Sequence, residues 1–433
     1  MLPGAGVIVD SIETVVQRQL CTGCGACAYI EPKRYRMGDS LEHGRRPFLV
    51  PSPADDSGEA LKVCPGAALA HSEDSRTAPG IKSKLFDEWG PVYGVWEGFA
   101  TDPEIRFAGS SGGAATALAL YCLERAGMTG VLHTAAQASV PYLNETVLST
   151  SRSQLLARTG SRYAPASPAE GLDIIEKAEG ASVFIGKPCD VASVSSARRL
   201  RPRLNEKIGL TIAFFCAGTP SLRGVLDLIE NVGIPDPAAV SDLRYRGNGW
   251  PGLWTAHHTD GGGQERVQQR TYSQSWGFLQ KYRQWRCYIC PDHTGEFADV
   301  AVGDPWYRSV QPDEPGKSLI VARTKRGFDI IKAAAEDGYI VLEKEDDDLL
   351  PRSQPNLSAT RSALWGRLMA LRLLGAAVPD FRGFSLFGLW LRNLSVKQKI
   401  QSLSGTAKRV FSKHLRTRIF LVEWHRQRER NDS

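Results

Sequence analysis

The sequence predicts an α/β fold, a mixed sheet with flanking helices, joined to a small N-terminal cysteine module and a basic helical C-terminal tail. Three observations predict it. Apolar runs of strand length alternate with helix-patterned segments over most of residues 92–345, the pattern of strands connected through helices. Four of the nine cysteines lie within the first 64 residues, a density that a reducing compartment turns to metal binding more often than to disulfides. Residues 381–433 carry twelve Lys and Arg against three Asp and Glu, a local +9, so the other 380 residues stand at 41 against 44, or −3. The chain is too long for one small core, and composition places the module over 1–80, the two halves of the α/β part over 90–175 and 176–350, and the tail over 351–433. No apolar run approaches the roughly 18 residues that cross a bilayer, and Met1-Leu2-Pro3-Gly4-Ala5-Gly6 has no basic n-region, so a cytoplasmic protein is expected, with the tail open to the inner membrane surface.

The first element is Cys21-Thr22-Gly23-Cys24-Gly25-Ala26-Cys27, followed at a distance by Cys64-Pro65-Gly66. Three thiolates at that spacing wrap a glycine-permitted loop around one face of a cubane, and a remote Cys-Pro closes the fourth corner. Cys21, Cys24, Cys27 and Cys64 are therefore candidate ligands of one [4Fe–4S] cluster in a ferredoxin-like module. Zinc is the alternative, although zinc sites usually pair two C-x-x-C units. Residues 71–90 read as a polar linker. A strand over Val92 to Phe99 leads to Gly109-Ser110-Ser111-Gly112-Gly113 and a helix rich in Ala and Leu from Ala114. Small residues opening a helix leave N–H groups free for a phosphate, and a plain N-cap explains them equally well. Cys122 shares the apolar face of that helix with Leu118, as a buried structural thiol.

Residues 129–134 read as the next strand. The loop Gly160-Ser161-Arg162-Tyr163-Ala164-Pro165 suits contact with a flat ring, or is a surface turn. A strand over Val183 to Gly186 leads through Lys187 and Pro188 to Cys189 and a helix from near Val191; a thiol at a helix N-terminus should have a lowered pKa. Another strand runs from Ile208 to Cys216, and Pro220 then opens a helix. Residues 242–271 read as an antiparallel insert with a turn over Tyr245 to Gly252. Cys287-Tyr288-Ile289-Cys290 places two thiols three positions apart, a pair that can hold a metal, close a small disulfide or cycle as a redox dithiol. Cys189 and Cys216 both follow strand ends, where α/β proteins gather ligands. Cys189, Cys216, Cys287 and Cys290 thus form a second candidate four-thiolate set, expected to lie apart from the first in space. A strand over 318–324, a helix over 326–335 and a strand over 339–342 complete the core. The tail mixes Phe381, Phe387, Trp390, Ile400 and Phe411 with Lys397, Lys399, Lys408, Arg409 and Lys413, which is open to an anionic membrane surface, to a partner protein, or to packing on the chain's own core with a solvated basic face. No recognition motif accompanies the charge, and no nucleic acid is expected.

Together these motifs resemble the family of the β subunit of coenzyme F420 hydrogenase and dehydrogenase, which also contains 7-hydroxymethyl chlorophyll a reductase. The pieces that carry the resemblance are the N-terminal cysteine triple, Ser111-Gly112-Gly113, Gly160-Ser161-Arg162-Tyr163, Gly186-Lys187-Pro188-Cys189, Phe215-Cys216, and Cys287-x-x-Cys290-x-Asp292 with Ala298-Asp299-Val300 and Gly303-Asp304. They cover roughly residues 20–345 and leave the tail outside. The resemblance implies an FAD-binding domain in which electrons pass between two [4Fe–4S] clusters and the flavin, and on to or from an organic substrate or the deazaflavin coenzyme F420. Ser110, Ser111, Gly112 and Gly113 would meet the FAD diphosphate; Arg162, Tyr163 and Lys187 would lie near its ribityl chain and ring. Ala217 stands where many relatives carry His, so no proton donor is expected there, and no catalytic residue is assigned. With no G-x-G-x-x-G fingerprint for a nicotinamide dinucleotide, the expected partner is a one-electron carrier such as ferredoxin, or reduced deazaflavin. An electron-transfer subunit of a larger complex, one linked to cell-surface polysaccharide synthesis, and a zinc-stapled non-redox binding protein are the competing readings. The tail is expected to govern location and to be dispensable for cofactor content.

Overall fold

The computed structural model describes residues 7–310 and 314–424. Its centre is an eight-stranded mixed sheet that runs, edge to edge, Ile340–Glu345, Gly94–Ala100, Ser318–Ala322, Val300–Gly303, Ile208–Phe214, Ser182–Gly186, Gly130–Gln137 and Val140–Ser149. The four strands from Val300–Gly303 to Gly130–Gln137 are mutually parallel, and antiparallel strands flank them on both sides. Parallel strands are covered on both faces, which is why Ser182–Gly186 is buried at all five positions and reads as a continuous apolar run. The helix Ala114–Glu124 packs Leu118 and Leu120 onto one face with Val131, Ile212 and Ile320. The helix Pro188–Leu200 packs Val191 and Val194 onto the other with Phe184, Leu319 and Val321. The strands and helices expected over 92–345 are all present, and Cys122 is fully buried inside its helix. Residues 242–271 form the expected antiparallel insert, with strands Val240–Arg244, Leu253–Thr259 and Glu265–Thr271.

Two local expectations are corrected. Residues 71–90 are no linker, because the helix Ser83–Trp89 turns Leu85, Phe86 and Trp89 into the core. The helix expected near Val191 begins at Pro188, whose fixed φ and missing N–H suit a first turn, so Cys189 lies inside that turn.

The C-terminal segment packs on the chain's own core, one of the readings its sequence left open. Asp380–Arg382 pairs in parallel with Ala68–Ala70 of the N-terminal module. Leu364, Leu368, Leu371, Leu386, Val410 and Leu415 join Ile12, Val15, Leu20, Cys21 and Cys27 in one buried cluster. The module itself consists of the hairpin Tyr35–Ser40 and Gly44–Leu49 with short helices such as Ile12–Gln17 and Ala26–Ile30, too little apolar surface for a core of its own. The basic helix Val396–Ser412 and its neighbours Leu364–Leu373 and Leu386–Asn393 supply the missing layer. Among the described residues, no helix is long and apolar enough to cross a membrane.

Candidate functional site

The first thiol set assembles as its spacing requires. Cys21, Cys24, Cys27 and Cys64 line one apolar pocket with Ile12, Val15, Met37 and Pro47. Gly25 turns the loop at φ +94°, and a Cβ there would strike the Glu170 nitrogen at 2.7 Å, so the loop lies flush on the core only with glycine. The Gly23 N–H points to Cys21 Sγ at 3.3 Å, and N–H groups of Ala26, Ala28 and Ala67 face the sulfurs of Cys24, Cys27 and Cys64. Burial raises the pKa of Cys24, Cys27 and Cys64, so these thiols give up their protons when a cation is there to compensate.

The second set gathers at the carboxyl ends of two adjacent parallel strands. Cys189 follows Ser182–Gly186, Cys216 follows Ile208–Phe214, Cys287 sits in the short helix Trp285–Tyr288, and Cys290 comes from the loop after it. Cys189 and Cys216 interact electrostatically, as do Cys216 with Cys287 and Cys290 with Cys287. The Thr219 N–H donates to Cys287 Sγ at 3.4 Å. His293 pins Cys216 through Nδ1 to its carbonyl at 2.7 Å, while the Cys216 N–H donates to the His293 carbonyl at 2.9 Å. Burial lowers the His293 pKa to about 4, so the ring is neutral. The lowered pKa expected for Cys189 is corrected, since burial pushes that thiol well up and outweighs its helix terminus and Lys187. Burial likewise pushes Cys216 and Cys290 up to about 12.

The two sets are not apart, as the sequence led us to expect. Cys24 lies close enough to Cys189 to act on its charge, and the Ala169 N–H donates to the Cys24 carbonyl at 3.0 Å. Arg286, 2% exposed and adjacent to Cys287, donates to the Pro65 carbonyl beside Cys64 at 2.8 Å, which ties the two ligand loops together. Among the described residues no three His, Cys, Asp or Glu groups are placed to hold a single metal ion. In a cubane each thiolate binds its own iron, so four sulfurs around a shared pocket need not converge on one atom.

The candidate flavin residues lie along one wall. The Ser161 N–H donates to Ser110 Oγ at 2.7 Å, and Lys187 Nζ reaches the Ala166 carbonyl at 3.3 Å, so the loop 160–166 spans from the small-residue loop to the second thiol set. Burial works against the Lys187 charge, but Asp190 at 2.7 Å outweighs it and raises its pKa. Gly112 lets the loop lie on the sheet: a Cβ there would meet the Ser318 nitrogen at 2.7 Å, and the Gly112 N–H already donates to Ser318 Oγ at 2.9 Å. Ser111 Oγ shares that hydroxyl at 2.9 Å. The helix that follows has Gly113 as its cap, which offers its first turn no side-chain acceptor. Arg162 is a brace, with donors on Asn144 Oδ1 and the carbonyls of Leu243, Pro141 and Leu143. Tyr163 opens an aromatic cluster with Tyr245, Tyr272 and Trp276.

Sequence reasoning missed the group beside Tyr163. Arg246, 3% exposed, forms a two-pronged ion pair with Asp304 at 2.7 and 2.9 Å, and Trp250 Nε1 donates to Asp304 at 2.8 Å. Trp306 stacks between Trp250 and Tyr272, with centroids 5.4 and 5.7 Å away. In the sequence Asp304 stands out only as part of a motif, and nothing local couples it to Arg246. A cavity of about 740 Å³ lies elsewhere, between the N-terminal hairpin and the edge strand Val140–Ser149, and none of the candidate flavin residues lines it.

Behind the second set, Asp292 accepts N–H groups of Thr294, Gly295 and Glu296 at 2.9, 2.7 and 3.0 Å, and Glu296 pairs with Arg361 and with His71 at 2.8 Å. Burial would raise the Glu296 pKa, but Arg361 and His71 outweigh it and bring it to about 2. This is below the unfolded value of about 4.3, so the pairing contributes stability above that pH which is lost as pH falls toward 2. Glu296→Gln is expected to flatten stability against pH across that window and to cost about 3–5 kcal/mol at neutral pH by stranding Arg361. Denaturant melts across pH check this, and an unaltered acid limb would refute the pairing.

Comparison with known proteins bears on the same regions. Two family models match, coenzyme F420 hydrogenase/dehydrogenase beta subunit N-term over residues 95–172 and the corresponding C terminus over residues 181–348. The beta subunit of coenzyme F420 hydrogenase from Methanosarcina barkeri is 24% identical over 245 residues, 55% of this chain and 77% of that protein. The beta subunit of F420-dependent formate dehydrogenase 1 from Methanococcus maripaludis is 27% identical over 56% of this chain and 59% of its own length. An F(420)H(2) dehydrogenase subunit of Methanosarcina mazei is 24% identical over 84% of this chain and 93% of that one. A chain of the F420-reducing [NiFe] hydrogenase complex from Methanosarcina barkeri shares the fold, with a TM-score of 0.50 at 22% identity over 65% of this chain and 94% of that one. With matched segments that span the whole central sheet, the chain belongs to the family of the coenzyme F420 hydrogenase/dehydrogenase beta subunit.

Proposed function

We propose that the protein is an iron–sulfur flavoprotein oxidoreductase that passes electrons between two [4Fe–4S] clusters and FAD, and on to or from coenzyme F420 or another organic substrate. The observation that carries this reading is the assembly of eight of the nine cysteines into two adjoining sets, with Cys24 beside Cys189. Flavin exchanges two electrons with its substrate and clusters one at a time, so neighbouring centres join a one-electron donor to a two-electron reduction. The chain's own part is to hold and insulate. Buried apolar walls exclude water from the first set, N–H groups face the sulfurs, and Lys187 and Arg286 place positive charge against thiolates that burial disfavours. Ser110 to Gly113 and Tyr163 would hold the flavin, with Arg162 fixing the wall and Lys187 facing both the wall and the second set. The relatives named above are subunits of F420-linked hydrogenases and dehydrogenases, which supports a redox role exercised beside a protein partner. The zinc-stapled reading is weaker, because the first set carries its thiols as a C-x-x-C-x-x-C triple, whereas zinc sites usually pair two C-x-x-C units.

Anaerobic purification should yield about eight irons and eight sulfides per chain. Acid extraction followed by mass spectrometry should release FAD. Stoichiometric zinc with no flavin would return the chain to the binding-protein class.

A further inference from the structure

Within the second thiol loop, Tyr288 sits between Cys287 and Cys290, and four cations surround it. The Arg283 guanidinium carbon lies 4.0 Å from the ring centroid, that of Arg409 5.4 Å, and Lys413 Nζ 5.9 Å, while Arg367 donates to the Tyr288 carbonyl at 2.6 Å. All four side chains and the ring are half-buried, so the collar reaches the surface. The arrangement touches the ligand loop directly, since a Cβ placed on Gly218 would meet both Arg283 Cδ at 2.2 Å and Cys287 Cβ at 3.1 Å. Burial and the neighbouring Arg409 and Arg283 lower the Arg367 pKa to about 10, as expected where like charges crowd. No carboxylate among the described residues forms an ion pair with any of the four, although twenty-five such pairs are made elsewhere among them. Phe411, 57% exposed, lies on the same helix as Arg409.

Crowding three cations about one ring and a fourth on its carbonyl costs free energy that the ring's attraction for cations offsets only in part. Arg367, Arg409 and Lys413 come from the C-terminal segment, beyond the residues that the family models match. The collar is therefore built largely by the covering layer, outside the two matched domains. We infer that the cationic collar of Arg283, Arg367, Arg409 and Lys413 around Tyr288 is the docking site of an acidic one-electron carrier protein that delivers electrons to the second thiol set. The inference rests on the redox reading above. Complementary charge steers encounter and suits the small, short-lived interfaces of electron carriers. In the step itself the carrier loses one electron and the chain gains it at the Cys287 side; no bond or proton moves.

The test uses the full-length holoprotein and a plant-type [2Fe–2S] ferredoxin as the acidic probe. Calorimetry at low and high salt should show binding that weakens with ionic strength. Arg409→Glu combined with Lys413→Glu should weaken it about 10-fold or more at low salt and remove the salt dependence, and Arg409→Lys should restore most of it. Iron and sulfide content, and the extent of reduction by excess dithionite, should match the parent protein. Undiminished ferredoxin affinity in the double variant overturns the inference. A loss of iron also overturns it, because the cations would then serve the ligands and not a partner. So would lost sedimentation with phosphatidylserine vesicles while ferredoxin still binds. A parent protein without iron would instead overturn the function proposed above.

Discussion

On the function proposed above, a chain carrying Cys287→Ser should keep about four irons where the parent holds about eight. Serine's alkoxide is a poor ligand for iron, and Cys287 is the residue through which Cys216 and Cys290 meet. The first set should survive. Its four sulfurs share a pocket walled by Ile12, Val15 and Met37, and the bridge from Arg286 to the Pro65 carbonyl does not depend on the Cys287 sulfur. Because Cys24 and Cys189 adjoin, electron paramagnetic resonance of the reduced parent should show interacting centres, and the variant a single, uncoupled signal. Iron content near zero would mean that the two loops fold only together; undiminished iron would remove Cys287 from the ligand set. Arg286→Ala, by contrast, should perturb both sets, since it severs the tie between them.

Ending the chain after Val378 should abolish the first cluster and most of the stability of the N-terminal module. The sequence suggested the opposite, a tail dispensable for cofactor content. Truncation removes the strand Asp380–Arg382 from Ala68–Ala70 and takes Leu386, Leu389, Val410 and Leu415 out of the core. At about 1.5–3 kcal/mol for each buried aliphatic side chain, four of them amount to about 6–12 kcal/mol, comparable with the whole stability of a domain. The milder Leu415→Ala, at a position 2% exposed, should cost about 2–5 kcal/mol. Thermal melts with iron assays decide the matter. A truncated chain that melts like the parent and keeps its iron would show that the C-terminal helices are a covering and not a core.

That the tail packs on the chain's own core, one of the readings its sequence left open, was hard to see for a physical reason. Nine Lys and Arg against one Glu over residues 381–424 look like a solvated helix face. The buried stripe of Val396–Ser412 is Ser402, Thr406 and Val410, and two of these are polar by composition. Each hydroxyl turns back on its own helix, Ser402 to the Lys399 carbonyl at 2.7 Å and Thr406 to the Ser402 carbonyl at 2.8 Å, so neither carries an unmet hydrogen bond into the core. Their small size permits a close crossing, with a Cβ on Gly366 falling 2.1 Å from Ser402 Oγ. Apolar periodicity cannot register such a face.

By itself the sequence determined the alternation that builds the sheet and the thiols available for two sets, because strand runs and cysteine spacings are local properties of the chain. Only the tertiary structure decided how those pieces meet. The adjacency of Cys24 and Cys189, the pairing of Arg246 with Asp304 across 58 positions, and the collar that Arg367, Arg409 and Lys413 make around Tyr288 all depend on contacts between distant segments. The direction of the Cys189 pKa was decided there too. A helix terminus acts within one turn and is visible in sequence, but the desolvation that outweighs it is set by everything packed around the thiol.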